Sequence, residues 1–410
     1  LADIRFLRGL FMRHADQRCH PLARLAALAL CVSASVALAA KPRGEPIPDP
    51  QSLPETLTTA VVSPAAGARV YVSDIAIGHL PDGRVRVFDA RSGRLLGMVS
   101  TAYAGQFTLS PRRDELYVAT THLSRTTRGE RTDVLEVWDT NTLALKYEVV
   151  VPPRHAQALN FRPYLRTSAD GQLVYSQNAT PAVSVTVVEL TGRRVLGEVA
   201  LPGCFGIYPA TGHARRFSAL CGDGTVQTVT LAENGEIATR QASAKLFDGD
   251  SDPWFQHAEQ AGDRYWFLSF RGELVEMDLG GEAPRLVSRR SLVAAAERRQ
   301  GWRPGGYQLF AVDASRNTVL VGMHPKGGEG SHKFAARQIW RFELDSGKRV
   351  ARLPGHGATS MTLARGEPRL HTLDAEKSRL DVWRLERGAL KKVVSVAGAG
   401  EASFHLESHD

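Results

Sequence analysis

The sequence predicts an all-β chain folded as a seven-bladed β-propeller, and three observations carry that expectation. A strand rich in β-branched and aromatic residues, ending near an acidic residue, recurs seven times, as in Val85-Arg86-Val87-Phe88-Asp89, Leu135-Glu136-Val137-Trp138-Asp139 and Leu274-Val275-Glu276-Met277-Asp278. Its anchor positions 89, 139, 189, 231, 278, 343 and 384 lie 50, 50, 42, 47, 65 and 41 residues apart, which is the repeat length of a propeller blade. Each recurrence follows an apolar partner such as Arg69-Val70-Tyr71-Val72 or Thr318-Val319-Leu320-Val321, and most precede a glycine or asparagine turn such as Ser92-Gly93 or Asn234-Gly235. Those turns are hairpin signals. The leading strand of each pair reads as inner and the recurrence as outer.

In chain order, residues 1–40 read as a secretory signal peptide starting at Met12, with 1–11 an over-extended start. Arg13, Arg18 and Arg24 precede an apolar run from Leu25 to Leu38, and Ala37-Leu38-Ala39 supplies a small-x-small cleavage site. The run of 14 residues is short of the ~20 that span a bilayer, so cleavage is expected rather than anchoring. Residues 41–60, with Pro42, Pro46, Pro48, Pro50 and Pro54, read as an extended proline-rich arm. Residues 61–410 are the propeller.

The formal charge is +8, of which five arginines against two aspartates in residues 1–40 carry +3, leaving about +5 on the body. That balance suits an acidic protein partner. Nucleic acid is not expected, since the exported body shows no basic helix or stacking motif. Once the signal is removed, Cys204 and Cys221 are the two remaining cysteines. In an oxidising compartment such a pair is expected to bridge neighbouring strands of one blade, the alternative being two buried thiols. A bridge there closes a loop of 17 residues, worth about 3 kcal/mol in the chain-entropy account.

The 65-residue interval holds an insertion. Ser291 to Arg299 reads as a short helix, followed by Trp302-Arg303-Pro304-Gly305-Gly306-Tyr307. Trp302 and Arg303 are candidate docking residues, with a packing plug as the plainer reading. Arg125, Arg128 and Arg131 form a basic loop ahead of Asp133: either an edge for an acidic partner or a solvated loop braced by local ion pairs. Asp248, Asp250, Asp252 and Glu259 resemble a calcium loop, but Pro253 stands where the sharp turn needs glycine. His324 and His332 flank a glycine-rich stretch without ligand spacing. No metal site is expected. The sequence holds no nucleophile elbow, phosphate-binding loop or zinc-protease motif, so no catalytic residue is assigned to this chain.

Several irregular segments occur together in one family. They are residues 96–99; 124–133 running into Glu136-Val137-Trp138-Asp139; Ala179-Thr180-Pro181-Ala182; Gly203-Cys204 with Cys221-Gly222-Asp223-Gly224; 302–307; and Met323-His324-Pro325 through Lys333-Phe334. The chain resembles the heavy subunit of quinoprotein amine dehydrogenases across 65–405. Residues 74–80, 323–334 and 401–403 lean toward the aralkylamine rather than the methylamine branch.

The resemblance implies a division of labour. A cysteine-rich light subunit carries tryptophan tryptophylquinone and the catalytic aspartate. The heavy propeller binds no cofactor itself and docks that subunit, two heavy with two light. A primary amine leaves as aldehyde and ammonia, and electrons pass to a blue-copper protein of the azurin or amicyanin type in the periplasm. The resemblance also implies that the loop holding Ile77, Gly78 and His79 lines the substrate passage. The family has phenylalanine about where Ile77 stands, so a wider but still apolar passage is expected. The alternative is a core role for Ile77. Two other functions stay open: an exported scaffold without activity, and a metal-dependent propeller hydrolase. The hydrolase requires several acidic, asparagine or histidine side chains converging from inner strands, and those read as inner are mainly apolar, apart from His371.

Overall fold

In the computed structural model, strand Arg69–Asp74 pairs antiparallel with Gly83–Asp89, Val70 opposite Phe88 and Val72 opposite Arg86. All six residues of Arg69–Asp74 are buried. A strand covered on both faces reads as an unbroken apolar run rather than an alternation, and here the covers are the neighbouring blades. Gly83–Asp89 pairs in turn with Leu95–Leu109, a strand of 15 residues. Ala102 and Ala104 take left-handed φ values of 41° and 53° and swing this strand into the second blade, where Phe107 lies opposite Val118. The bend needs Gly105, because a Cβ there would sit 2.4 Å from the Thr101 carbonyl oxygen.

The structure describes residue 61 and residues 68–157, 160–386 and 388–409. The expected signal peptide and proline-rich arm lie outside the described residues. Among the described residues no helix is long and apolar enough to cross a membrane.

Seven blades of antiparallel strands radiate from one axis, as the spacing predicted. The fourth is representative: Cys204–Pro209, Arg216–Cys221, Val226–Leu231 and Ile237–Ala242, in that order from the axis outward. The first blade takes its innermost strand from the C-terminal end, where Ser403–His409 pairs with Arg69–Asp74, Leu406 opposite Val72. Innermost strands also meet one another around the axis: Phe310–Asp313 touches both Trp254–Ala261 and Ser360–Leu363, and the last touches Ser403–His409.

The hairpins read from sequence are the middle of each blade, which corrects the inner and outer assignment. The strands read as inner are second from the axis, and those read as outer are third. The true innermost strands are interrupted by register shifts, as between Phe205 and Tyr208 or Trp254 and Ala258, which break any alternation. The outermost strands, such as Ile237–Ala242, are largely exposed and therefore mixed in polarity. The apolar core accordingly lies in layers between blades. Tyr175, Val187, Ile207 and Phe217 join the third to the fourth, and Tyr208, Phe267 and Met277 the fourth to the fifth.

The expected helix is also shorter. Ser291 still pairs with Glu273 at the end of outermost strand Arg285–Ser291, Leu292 and Val293 are buried, and only Ala295–Arg299 is helical. The Glu297 carboxylate accepts the Ala294 N–H at 2.9 Å and pairs with Arg349 at 2.7 Å.

Candidate functional site

The two faces of the propeller differ in chemistry. Connections from second to third strands, and from each outermost strand to the next blade, emerge on one face. Residues 74–80, 124–133, 179–182, 221–224 and 323–334 are of the first kind; 302–307 and 401–403 are of the second. Nearly every irregular segment singled out from sequence therefore reaches the same face, although residues 96–99 lie on an outermost strand.

Ile77, Gly78 and His79 begin a 3-10 turn, Ile77–Asp82. Asp74 sets its geometry by accepting the Ala76 N–H at 3.0 Å, and Ala76 sits at φ 43°. The turn presents Ile77 to solvent at 47% exposure, so it is not a core residue. Gly78 has open space where a Cβ would be. Beneath the turn, Ile75 packs with Ala402 and Phe404 against Tyr307 and Ala375. The Tyr307 and Phe404 rings lie 4.2 Å apart between centroids. They border a shallow hollow of about 490 Å³ with Lys333, Phe334 and Glu376 on its rim, and Phe334 is 53% exposed. The convergence of Tyr307, Phe334 and Phe404 was missed from sequence. Two of the three lay in segments already singled out, but their meeting depends on ring closure.

The three loop arginines divide. Arg131 makes two hydrogen bonds of 2.7 Å to Asp133, and Asp133 also binds His155 Nδ1 at 2.8 Å and the Thr121 hydroxyl at 2.7 Å. Burial alone would raise the Asp133 pKa, but His155, Arg131 and Thr121 hold the carboxyl well below the usual range. Arg131 is thus a brace for the loop. Arg125 and Arg128 are exposed at the hairpin tip, joined through a backbone bond from Arg125 N–H to Arg128 C=O at 3.0 Å.

Trp302 and Arg303 are packed inward. The Trp302 ring lies 5.1 Å from that of Trp340 under the Arg352 guanidinium, and Arg303 lies 4.7 Å over the Phe270 ring. Cys204 and Cys221 stand directly opposite on adjacent strands and form a disulfide. Asp248 accepts the N–H groups of Asp250 and Ser251 within its own turn, while Asp252 accepts the Arg271 N–H. Among the described residues no three His, Cys, Asp or Glu side chains converge as a metal set.

The axis holds charges, among them Glu259, which pairs with Arg162 there rather than closing a calcium-like loop with Asp248. Arg162 Nη1 donates to Glu259 Oε1 at 2.8 Å, and its Nε lies 3.1 Å from Glu407. Glu259 also contacts His257 at 3.1 Å, and Glu407 contacts His405 at 3.3 Å. Burial works against ionising both carboxyls, yet Arg162 outweighs it and holds them below their ordinary range. Burial pushes the His405 imidazole down despite Glu407. The apolar axis inferred from the second strands is corrected here. The acidic groups that converge on it are held by Arg162, an arrangement suited to joining blades rather than ligating a metal.

The sequence model of the methylamine dehydrogenase heavy chain (MADH) family matches residues 66–405. The chain is 25% identical over 378 residues to the methylamine dehydrogenase heavy chain of Methylobacillus flagellatus, covering 89% of this chain and 92% of that one. It is 26% identical to the methylamine dehydrogenase heavy chain of Paracoccus versutus, covering 85% and 81%. Among solved structures, a Lactobacillus plantarum protein superposes with a TM-score of 0.58 at 11% identity, covering 83% of this chain and 99% of that one. That last likeness concerns the fold.

Proposed function

This chain belongs to the methylamine dehydrogenase heavy chain family, and from that premise we propose that it serves a periplasmic dehydrogenase for primary, aralkyl-type amines. In this reading a cysteine-rich light subunit docks on the face described above, two heavy chains with two light. The tryptophan tryptophylquinone of that subunit supplies the redox chemistry that turns amine into aldehyde and ammonia, and a blue-copper protein of the azurin or amicyanin type receives the electrons.

This chain's part is to dock and to shape the entrance. Arg125 and Arg128 offer exposed positive charge to an acidic partner surface, which speeds encounter and sets orientation. Ile77 and the hollow of Tyr307, Phe334 and Phe404 offer an apolar wall beside the docking face. An aromatic ring gains from such a wall through burial and edge-to-face contact, whereas methylamine has little surface to bury. The observation that carries the reading is the gathering of the family-like segments on one face, with the exposed Ile77 turn among them. The test is amine-dependent reduction of a dye by the heavy–light complex. 2-Phenylethylamine is expected to show a kcat/KM at least tenfold above that of methylamine; the reverse order rejects the aralkyl reading.

A further inference from the structure

The opposite face opens onto the axis through a funnel of about 510 Å³ whose charged lining is Arg113, Arg162, Arg166, Arg365, Glu259 and Glu407. Four arginines against two glutamates leave an excess of two positive charges. Both carboxylates are already engaged, Glu259 by Arg162 at 2.8 Å and Glu407 by Arg162 at 3.1 Å and Arg113 at 3.6 Å. Arg166 reaches neutral groups, Gln260 Oε1 at 3.0 Å and the Tyr265 hydroxyl. The Arg365 side chain is exposed at the rim and has no acceptor among the described residues.

Such an excess is costly where water is partly excluded. Arg113 registers it: burial, with Arg365, Arg162 and Arg166 around it, brings its pKa down to about 10 against the pull of Glu407. It remains a cation at neutral pH, so the funnel keeps its charge. Guanidinium groups bind oxyanions through paired N–H donors, and a ligand of charge −2 would balance the excess. The funnel is formed by strand-to-strand connections within blades, on the face away from the family-like segments, so docking there leaves it open.

We propose that this axial funnel is a binding site for a small dianionic oxyanion, of the phosphate or dicarboxylate class, held between Arg113, Arg166 and Arg365. Bound ligand bridges the second, third and seventh blades and steadies the ring by mass action. The site does not depend on the amine dehydrogenase reading, since it uses other residues on the other face.

The experiment is a thermal-unfolding titration of the mature protein with inorganic phosphate at fixed ionic strength, using chloride as the reference and succinate as a second probe. A saturable rise in Tm with phosphate, with succinate or with both, and none with chloride, is the expected result. The probe that saturates at the lower concentration identifies the ligand class. Arg365→Gln, at an exposed position that leaves the fold intact, is expected to raise the half-saturating concentration about tenfold, and calorimetric titration should give one site per chain. A rise that never saturates, that chloride reproduces, or that Arg365→Gln leaves unchanged overturns the proposal.

Discussion

The Asp74 carboxylate accepts the backbone N–H of Ala402 at 2.9 Å, joining positions 328 residues apart. The same carboxylate accepts the N–H of Glu401 at 3.0 Å and of Ala76 at 3.0 Å, and pairs with Arg86 at 2.8 Å. One side chain therefore fastens the ends of the ring together and shapes the turn that presents Ile77.

Asp74→Ala leaves those donors without an acceptor and is expected to lower unfolding stability by about 3–5 kcal/mol. Asp74→Asn, which keeps the shape and one acceptor, should lose less. Denaturant midpoints measure both, and equal, near-wild-type midpoints would show that the C-terminal strand alone closes the ring.

The pH dependence has a definite sign. Burial opposes ionisation of Asp74, but the Ala402, Glu401 and Ala76 amides and Arg86 lower its folded pKa below an unfolded value of about 3.9. A carboxyl depressed in this way contributes fully above the unfolded pKa and loses its contribution as pH falls through the folded one. The stability gap between wild type and Asp74→Asn should be largest above about pH 5 and shrink below about pH 4. A gap that widens on acidification contradicts this assignment.

Replacing Cys204 and Cys221 together with serine opens a loop spanning 17 positions. The loss is expected to be about 3 kcal/mol, read as a lower denaturant midpoint with unchanged amine turnover in the surviving complex. The bridge lies within one blade, so its removal should leave the passage shape intact.

Ile77→Phe narrows the entrance and is expected to lower kcat/KM for bulky aralkyl amines while leaving short amines within about twofold. Phe334→Ala removes an aromatic wall worth about 1 kcal/mol, which is about a fivefold rise in KM for 2-phenylethylamine with kcat kept. Steady-state kinetics on an amine series decides both. An unchanged preference in the two variants would separate this region from substrate selection.

The repeat was legible because the second and third strands of each blade are covered on both sides. Val85, Val87, Val187 and Val275 are apolar for that reason, and their turns carry hairpin residues. The ring-closing strand was not legible, because Ser403–His409 finds its partner at the other end of the chain and no local pattern announces such a pairing. The axial charges escaped for a related reason. Arg162, Glu259 and Glu407 are far apart in sequence, Glu259 reading as the end of a calcium-like stretch, and only the ring makes them neighbours. At the candidate site the segments were legible as a group, and for Trp302 and Arg131 the geometry favours the plainer readings, a packing plug and a local ion pair. Trp302 packs against Trp340 and Arg131 is tied to Asp133 although both are residue types that dock partners, and which way a loop side chain turns is decided by its neighbours in space.

Charge reversal at the hairpin tip probes both the heavy-subunit assignment and the docking face. The wild-type chain and an Arg125→Glu/Arg128→Glu variant, each expressed with the light subunit and purified from periplasm, are compared for retained partner and visible spectrum. Wild type is expected to bring down a small, cysteine-rich subunit with a quinone absorption band. The variant, equally stable on its own, is expected to retain several-fold less at low salt, with a deficit that narrows as salt is raised. A colourless wild-type chain without a partner would contradict the heavy-subunit assignment; full retention by the variant would contradict the choice of docking face.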